Sequence, residues 1–261
     1  MKIALIGYGK MGKAIEKIAM ARGHEITVRI DKDNQEDFES PEFAASDVAI
    51  EFTTPATAYA NYLRSFSHGV PVVSGSTGWL AEMPKVKAMC DRGEATFFWT
   101  SNFSLGVNIF FALNRYLAAM MEGFPQYRPS MTEIHHIHKL DHPSGTAITL
   151  AEGIMAKDDT IKAWSEAGDT PADTVHIEAL REGEVPGTHI ITWESDVDSI
   201  TIEHKAKSRE GFALGAVVAA EWTAGKKGFL TMDEMMHTLV QQSSLLDIVK
   251  SVSYTHLTLP T

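Results

Sequence analysis

Lys2-Ile3-Ala4-Leu5-Ile6-Gly7-Tyr8-Gly9-Lys10-Met11-Gly12 is the stretch that decides the fold class. Lys2–Ile6 is an apolar run of strand length, and Gly7-x-Gly9-x-x-Gly12 follows it without a gap. Ala14, Ile15, Ile18 and Ala19 then recur at helical spacing, and Gly23 closes that element as a C-terminal glycine does. Glu25–Ile30 reads as a second strand, ending at Asp31-Lys32-Asp33. Strand, glycine loop, helix and strand in this order form a βαβ unit, which requires a right-handed crossover and a parallel sheet.

In that context the glycines have separate uses. Gly7 permits a tight turn, Gly9 lets backbone approach a pyrophosphate, and Gly12 allows close helix–strand packing. The helix N-terminus offers unpaired N–H groups and the positive end of its dipole to phosphate. Asp31 stands where an acid meets ribose hydroxyls. Lys32 beside it suits a 2′-phosphate, so the pair leaves NADH and NADPH both open.

The alternation continues. Residues 46–52, 70–74 and 95–100 read as strands, and residues 56–67 and Met83–Asp91 as helices, giving an open doubly wound α/β sheet. Phe52-Thr53-Thr54-Pro55 and Gly75-Ser76-Thr77-Gly78 follow strands at the carboxyl edge, where such sheets bind ligands. Taken singly, each is equally an ordinary turn with a Ser or Thr cap.

After residue 105 the texture changes. Residues 108–121 form one long helix and residues 124–129 a break. Residues 131–138, Thr174–Arg181, 187–194 and 199–206 are strand-like. Ile200, Ile202 and His204 alternate with Thr201, Glu203 and Lys205, the mark of a mixed or antiparallel sheet with one exposed face. Residues 212–222 and 232–246 read as helices returning to the first domain. The expected division is a dinucleotide-binding domain of residues 1–105 and 214–250, a substrate and oligomerisation domain of residues 106–213, and a non-core tail at 251–261. The tail is Ser/Thr-rich and carries no assigned function.

Composition narrows the function classes. The chain has 261 residues and a net charge of −11, with 44% hydrophobic and 22% charged residues. Those values describe a globular protein with a sizeable core. An acidic chain is a poor general binder of nucleic acid or anionic membrane, so neither is expected as a partner. An anionic ligand would need a local cationic pocket. The single cysteine, Cys90, excludes an intramolecular disulfide. Residues 105–121 are interrupted by Asn108, Asn114 and Arg115 and read as a buried helix, not a membrane span. The few residues before the glycine loop are too short for a signal-peptide apolar region. A cytoplasmic protein is the expectation.

The cationic pocket is legible at Glu133-Ile134-His135-His136-Ile137-His138-Lys139-Leu140-Asp141-His142-Pro143-Ser144-Gly145-Thr146. Four of the eleven histidines lie within residues 135–142, with Lys139 among them. A metal site on His136 and His138 is disfavoured, because no cysteine accompanies them and Lys139 repels a cation. No metal is expected. A solvated histidine cluster is the plain alternative. Acid–base catalysis is the third reading: histidine titrates near neutrality, and lysine can donate a proton or hold a carboxylate. Pro143 to Thr146 opens a helix whose N-terminal amides, with the Ser144 and Thr146 hydroxyls, form an anion nest. As a plain N-cap, Ser144 would serve that same helix.

These motifs together resemble the dihydrodipicolinate reductase family. The resemblance runs in order from Lys2 to about Leu246. It includes Ser101-Asn102-Phe103-Ser104-Leu105-Gly106-Val107-Asn108, Arg181-Glu182-Gly183 with Gly187-Thr188-His189, and His204-Lys205-Ala206 with Arg209. It implies a Rossmann-like doubly wound parallel sheet plus an α+β domain with a mixed open sheet. It also implies NAD(P)H-dependent reduction of 4-hydroxy-tetrahydrodipicolinate with loss of water, on the diaminopimelate route to lysine. His135 would be the general acid and Lys139 the second donor or electrostatic partner. His136, Ser144, Gly145 and Thr146 would hold the substrate carboxylate. The cofactor would meet Gly7, Gly9, Lys10, Met11, Gly12, Asp31, Lys32, Phe52, Thr53, Gly75, Ser76, Thr77, Ser101, Asn102, Phe103 and Ser104. Family members are homotetramers joined through the substrate-domain sheet and accept NADH, NADPH or both. The chain departs from many relatives in a glycine loop one residue shorter, and in Asp31 where others have a Glu-Arg pair.

Two other readings stand beside this one: another two-domain amino-acid-type dehydrogenase, and a dinucleotide sensor without turnover. A sensor has no need for His135 and Lys139 beside an anion nest.

Overall fold

The computed structural model describes residues 1–208 and 210–242. The described chain divides into two compact units, residues 1–103 with the segment from Phe212 onward, and residues 104–211. The end of the expected helix 232–246, the tail at 251–261 and Arg209 lie outside the described residues.

The first unit opens with β1 (Lys2–Ile6), α1 (Lys10–Ala21), β2 (Glu25–Ile30) and a short α2 (Pro41–Ala44). It continues through β3 (Val48–Glu51), α3 (Pro55–Ser67), β4 (Val72–Ser74), α4 (Met83–Asp91) and β5 (Thr96–Trp99). In the second unit, α5 (Leu105–Met121), β6 (Arg128–His135), α6 (Gly145–Met155) and β7 (Ala163–Ser165) precede β8 (Thr174–Arg181), β9 (Thr188–Glu194) and β10 (Ser199–Lys205). The chain then runs through α7 (Glu210–Thr223), β11 (Gly228–Leu230) and α8 (Met232–Gln242).

The first sheet is parallel throughout, in the order β11-β5-β4-β3-β1-β2. Helices cover such a sheet on both faces, so its strands carry apolar residues at consecutive positions. All four residues of β3 and all three of β4 are accordingly buried. Phe38, Phe43, Tyr62, Trp79 and Phe97 belong to the core beside it. β1 pairs with β2 on one side and β3 on the other, so the order in which strands are added reverses there and a crevice opens beyond the strand ends. Gly7 has φ +91°, and a Cβ on it would lie 2.1 Å from the Phe52 carbonyl oxygen, so only glycine lets the ends of β1 and β3 approach this closely.

The second sheet is mixed, in the order β10-β9-β6-β8-β7. β6 runs parallel to β8 and antiparallel to β9. Along β6 burial alternates, so Met131, Glu133 and His135 share the inward face. Met131 joins Phe110, Leu117, Leu150, Ile177 and Trp193 in the core, and Asn114 Nδ2 donates to the Leu150 carbonyl at 2.8 Å to tie α5 to α6. None of the described helices is long and apolar enough to cross a membrane.

The structure corrects the local reading in three places. The strand expected at 131–138 runs instead from Arg128 to His135. Beyond it the Ile137 N–H donates to the Gly183 carbonyl and the Lys139 N–H to the His136 carbonyl, which bends the chain, so His136 and His138 do not share a strand face. The strand expected at 46–52 shrinks to Val48–Glu51, because Ser46 still closes the preceding turn through Phe43. β7 and β11 were not foreseen: each is three residues long, below the length at which periodicity carries a signal.

Gly215 on α7 supplies a test of the packing. A Cβ there would lie 1.7 Å from the Phe103 carbonyl oxygen. Alanine for glycine inside a helix ordinarily stabilises by roughly 0.5–1 kcal/mol. Here Gly215→Ala is expected to lower the unfolding free energy by about 1–3 kcal/mol through overpacking. Urea denaturation reads the sign, and an unchanged or raised midpoint refutes the contact.

Candidate active site

Each unit carries one half of the chemistry expected from the sequence. In the first, a cleft of about 560 Å³ opens at the carboxyl ends of β1, β2 and β3. Of the residues singled out in the sequence, Gly7, Gly9, Asp31, Lys32, Phe52 and Thr53 line it, and Gln35, Thr57 and Asn61 join them. A Cβ on Gly9 would meet nothing within 4 Å, so its backbone faces open space. Gly12 instead packs inward, where a Cβ would lie 2.3 Å from the Gly7 carbonyl oxygen. No acidic residue occupies the first turn of α1, which leaves its N-terminus favourable to an anion. A backbone cradle, an anion-attracting helix start and an acid at the end of β2 fit a dinucleotide.

The remaining expected cofactor residues do not line this cleft. Lys10 is exposed and Met11 half-buried at the start of α1. Thr77 and Ser101 are exposed, and Asn102 is half-buried. Phe103 is buried with its ring 5.5 Å from Phe52 and 5.9 Å from Phe98, so its side chain belongs to the core. Ser104 is buried, and its hydroxyl caps α5 by accepting from Val107 N at 3.3 Å. Gly75 lets the Phe52 ring lie against its loop, since a Cβ would fall 2.2 Å from that ring.

Ser76 leads to a residue that the sequence reading missed. Its hydroxyl accepts from Thr53 N at 2.8 Å and donates to Glu51 Oε1 at 3.1 Å. Glu51 has no exposed surface and also receives the Thr53 hydroxyl and, at 2.6 Å, the Ser74 hydroxyl. Burial, and then the charge of Glu51, push the Tyr62 phenol far above its usual range. The Glu51 carboxylate therefore joins the two loops beneath the cleft.

In the second unit the inward face of β6 places Glu133 and His135 on adjacent inward positions. Register brings in the rest: Glu133 stands opposite His189 of β9, and His135 opposite Arg181 of β8. The Glu133 carboxylate has no exposed surface. Its Oε1 accepts from Ser144 N at 2.9 Å and from the Arg181 guanidinium at 3.2 Å. Its Oε2 lies 3.2 Å from His135 Nδ1 and 3.7 Å from His189 Nε2. The two imidazoles meet edge to face, with ring centroids 5.1 Å apart.

Burial opposes the ionised carboxylate, yet the His135, His189 and Ser144 groups outweigh it and hold Glu133 far below the usual range. Burial pushes the His189 pKa down; the neighbouring Glu133 pulls the other way, while His135 and Lys139 add to the depression.

The turn after β6 carries the other expected residues. Lys139 Nζ pairs with Asp141 Oδ1 at 2.7 Å, and Arg181 also donates to the Asp141 carbonyl at 2.6 Å. His136 is half-buried, and its Nδ1 atom is buried without a hydrogen-bond partner among the described residues. His138 and His142 turn to Glu184 and Glu166 at the surface. Ser144 is buried: its hydroxyl caps α6 through Ala147 N at 3.2 Å and reaches His189 Nε2 at 3.3 Å. Its amide and hydroxyl are thus engaged inside the protein, and the outward-facing start of α6 is left to Gly145 and Thr146. A Cβ on Gly145 would meet nothing within 4 Å.

Glu133, His135 and His189 are also the group of metal-type ligands that the described residues bring together, with donor atoms within 4.8 Å of one another. The Arg181 guanidinium on the same carboxylate opposes a cation there. In the second unit, Glu133, His189 and Arg181 are the further candidate site residues missed by sequence reasoning. The one signal was their presence in the motifs at 133–146, 181–183 and 187–189, with no pattern saying that they meet.

Comparison with known proteins gives the family. The family described as "Dihydrodipicolinate reductase, N-terminus" matches residues 1–103, and "Dihydrodipicolinate reductase, C-terminus" matches residues 106–236. A 4-hydroxy-tetrahydrodipicolinate reductase of Christiangramia forsetii is 48% identical over 239 residues, covering 92% of this chain and 99% of that one. Its counterpart from Archaeoglobus fulgidus is 34% identical, covering 90% and 100%. Among solved structures, a dipicolinate-bound dihydrodipicolinate reductase of a Paenisporosarcina species superposes with a TM-score of 0.72 at 18% identity, covering 88% and 97%.

The buried cluster predicts how stability depends on pH. Glu133 is depressed below the ordinary carboxylate value of 4.5, so its contribution is complete above that pH and lost as pH falls further. His189 is depressed below the ordinary histidine value of 6.5, so the unfolded chain gains protons first and stability begins to fall below pH 6.5. Both signs agree. Denaturant titrations on descending through pH 6.5 should show a falling unfolding free energy, with a shallower slope below pH 4.5 in Glu133→Gln. Equal stability at pH 7 and pH 4 contradicts this account.

Proposed function

The chain belongs to the dihydrodipicolinate reductase family and is an NAD(P)H-dependent oxidoreductase that reduces 4-hydroxy-tetrahydrodipicolinate, and from that premise we propose how its residues divide the work. The observation that carries the proposal is one buried carboxylate, Glu133, joining a histidine to the start of a ligand-facing helix.

The first unit holds the dinucleotide: Gly7, Gly9 and the start of α1 receive phosphate, Asp31 and Lys32 the ribose end, and Phe52 and Thr53 the cleft wall. Gly12 and Ser76 shape the loops of that cleft, and Lys10, Met11, Gly75, Thr77 and Ser101 to Phe103 belong to the same unit. When bound, the reduced nicotinamide supplies a hydride. The matching proton comes from His135, through the Nε2 edge that Glu133 leaves free. Water is lost, so one hydride and one proton enter the product and the ring of the substrate is reduced.

The substrate is a dicarboxylate, and its recognition follows from charge. His136, Gly145 and Thr146 receive a carboxylate at the start of α6, with Ser144 holding that helix start in place from behind. Lys139 acts as second donor or electrostatic partner. Its pairing with Asp141 holds the ammonium near this turn and depresses the Asp141 carboxyl against the opposing effect of burial. The same family premise supports a homotetramer joined through the second unit's sheet, whose β10 edge exposes Ile200, and a cytoplasmic location.

Loss of NAD(P)H absorbance, with substrate generated in situ by the preceding synthase, tests the reading. Wild type should oxidise the cofactor well above background. His135→Ala should lower kcat by about 10²–10⁴-fold with cofactor affinity near wild type. Lys139→Ala should raise the substrate KM by about tenfold or more, the effect of losing a charged hydrogen bond. Unchanged turnover in His135→Ala removes that residue from the mechanism.

A further inference from the structure

We propose that Glu133 is a positioning residue that divides its two carboxylate oxygens between the halves of the site, Oε2 setting the orientation and tautomer of His135 and Oε1 fixing the start of α6. The proposal rests on the reading of His135 as the acid. An isolated buried carboxylate is costly, and well-packed apolar residues often replace buried ions with no loss of stability. The position itself suits an apolar side chain, because Met131 two residues earlier on the same face lies in the core. The charge at Glu133 therefore calls for a use beyond packing.

Its contacts show what that use is. Oε1 takes the Ser144 N–H and the Arg181 guanidinium, at 2.9 and 3.2 Å, and so ties α6 to β6 and β8. Oε2 lies 3.2 Å from His135 Nδ1 as an ion-pair contact, and neither atom has a hydrogen-bond partner among the described residues. A histidine nitrogen beside a carboxylate keeps its proton, which leaves the opposite nitrogen as the one that exchanges. Gly187 keeps that opposite edge clear: a Cβ there would lie 3.0 Å from His135 Nε2. The charged and titratable groups packed around the pair are His189 on β9, Arg181 on β8, and Lys139 with Asp141 in the following turn. Imidazolium His135 thus holds one proton against Glu133 and releases the other from Nε2, and the neutral ring that remains is the Nδ1–H tautomer.

Glu133→Gln separates the two oxygens. Two donors meet Oε1, so the amide oxygen stays there and the amide NH₂ turns to His135 Nδ1, forcing that nitrogen to accept. In ¹⁵N-histidine NMR, assigned against His135→Asn, neutral His135 should be Nδ1–H in wild type and Nε2–H in Glu133→Gln. Turnover should fall by about 10²-fold or more in kcat, the scale of holding a catalytic histidine in the wrong tautomer. Substrate KM should stay near wild type, and NADH affinity by fluorescence titration should not change. Glu133→Asp, which keeps the charge, should recover part of the lost kcat.

An Nε2–H tautomer in wild type overturns the proposal without any variant. A loss that appears wholly in KM, or an unchanged tautomer in Glu133→Gln, also overturns it. If His135→Ala leaves turnover intact, the acid reading fails separately, and the tautomer measurement still decides whether Glu133 orients the ring.

Discussion

A carboxylate with no exposed surface sits in the middle of the second sheet, its Oε1 hydrogen-bonded and its Oε2 beside two imidazoles. Glu133 draws on a backbone amide from α6, a guanidinium from β8 and imidazoles from β6 and β9. A buried charge is tolerated only when such donors surround it. That requirement fixes where α6 begins, which way His135 faces and how β8 and β9 register against β6. The start of α6 and the imidazole of His135 share one anchor.

The first unit answers the same physical problem in another way. Glu51 is equally buried, yet its donors are the hydroxyls of Thr53, Ser74 and Ser76, and none of the ion pairs among the described residues reaches it. Hydroxyls satisfy the lone pairs without neutralising the charge. The outcome is again positional: two loops on neighbouring strands are held at a common height at the edge of the cleft. Each unit thus holds a buried acid, one beside cationic groups and the other among neutral hydroxyls.

Much of this was legible from local pattern. The βαβ opening, the cleft residues Gly7, Gly9, Asp31 and Lys32, and the helix starting at Pro143 to Thr146 all follow from spacing that spans a few residues. So does the fold class, because apolar strands buried on both faces alternate with amphipathic helices. The misreadings have physical causes. His136 and His138 continue the alternation of β6 in sequence, but backbone bonds to Gly183 and within the turn end the strand at His135. Ser144 has the composition of an anion nest, yet its amide and hydroxyl are consumed by Glu133, Ala147 and His189. Phe103 stands in a cofactor motif, and burial turns its ring into the core.

The amino-acid sequence by itself determined the parallel sheet, the glycine cradle and the density of cationic residues at 135–146, because each is written in short-range periodicity or composition. Tertiary structure alone decided that Arg181, 48 residues beyond Glu133, shares its carboxylate, and that His189 faces it from β9. Strand register is set by burying one face of a whole sheet at once, and a slip of one residue would turn Glu133 and His135 to the opposite face. No local spacing encodes that choice, so the residues that organise the site became visible only when the strands were paired.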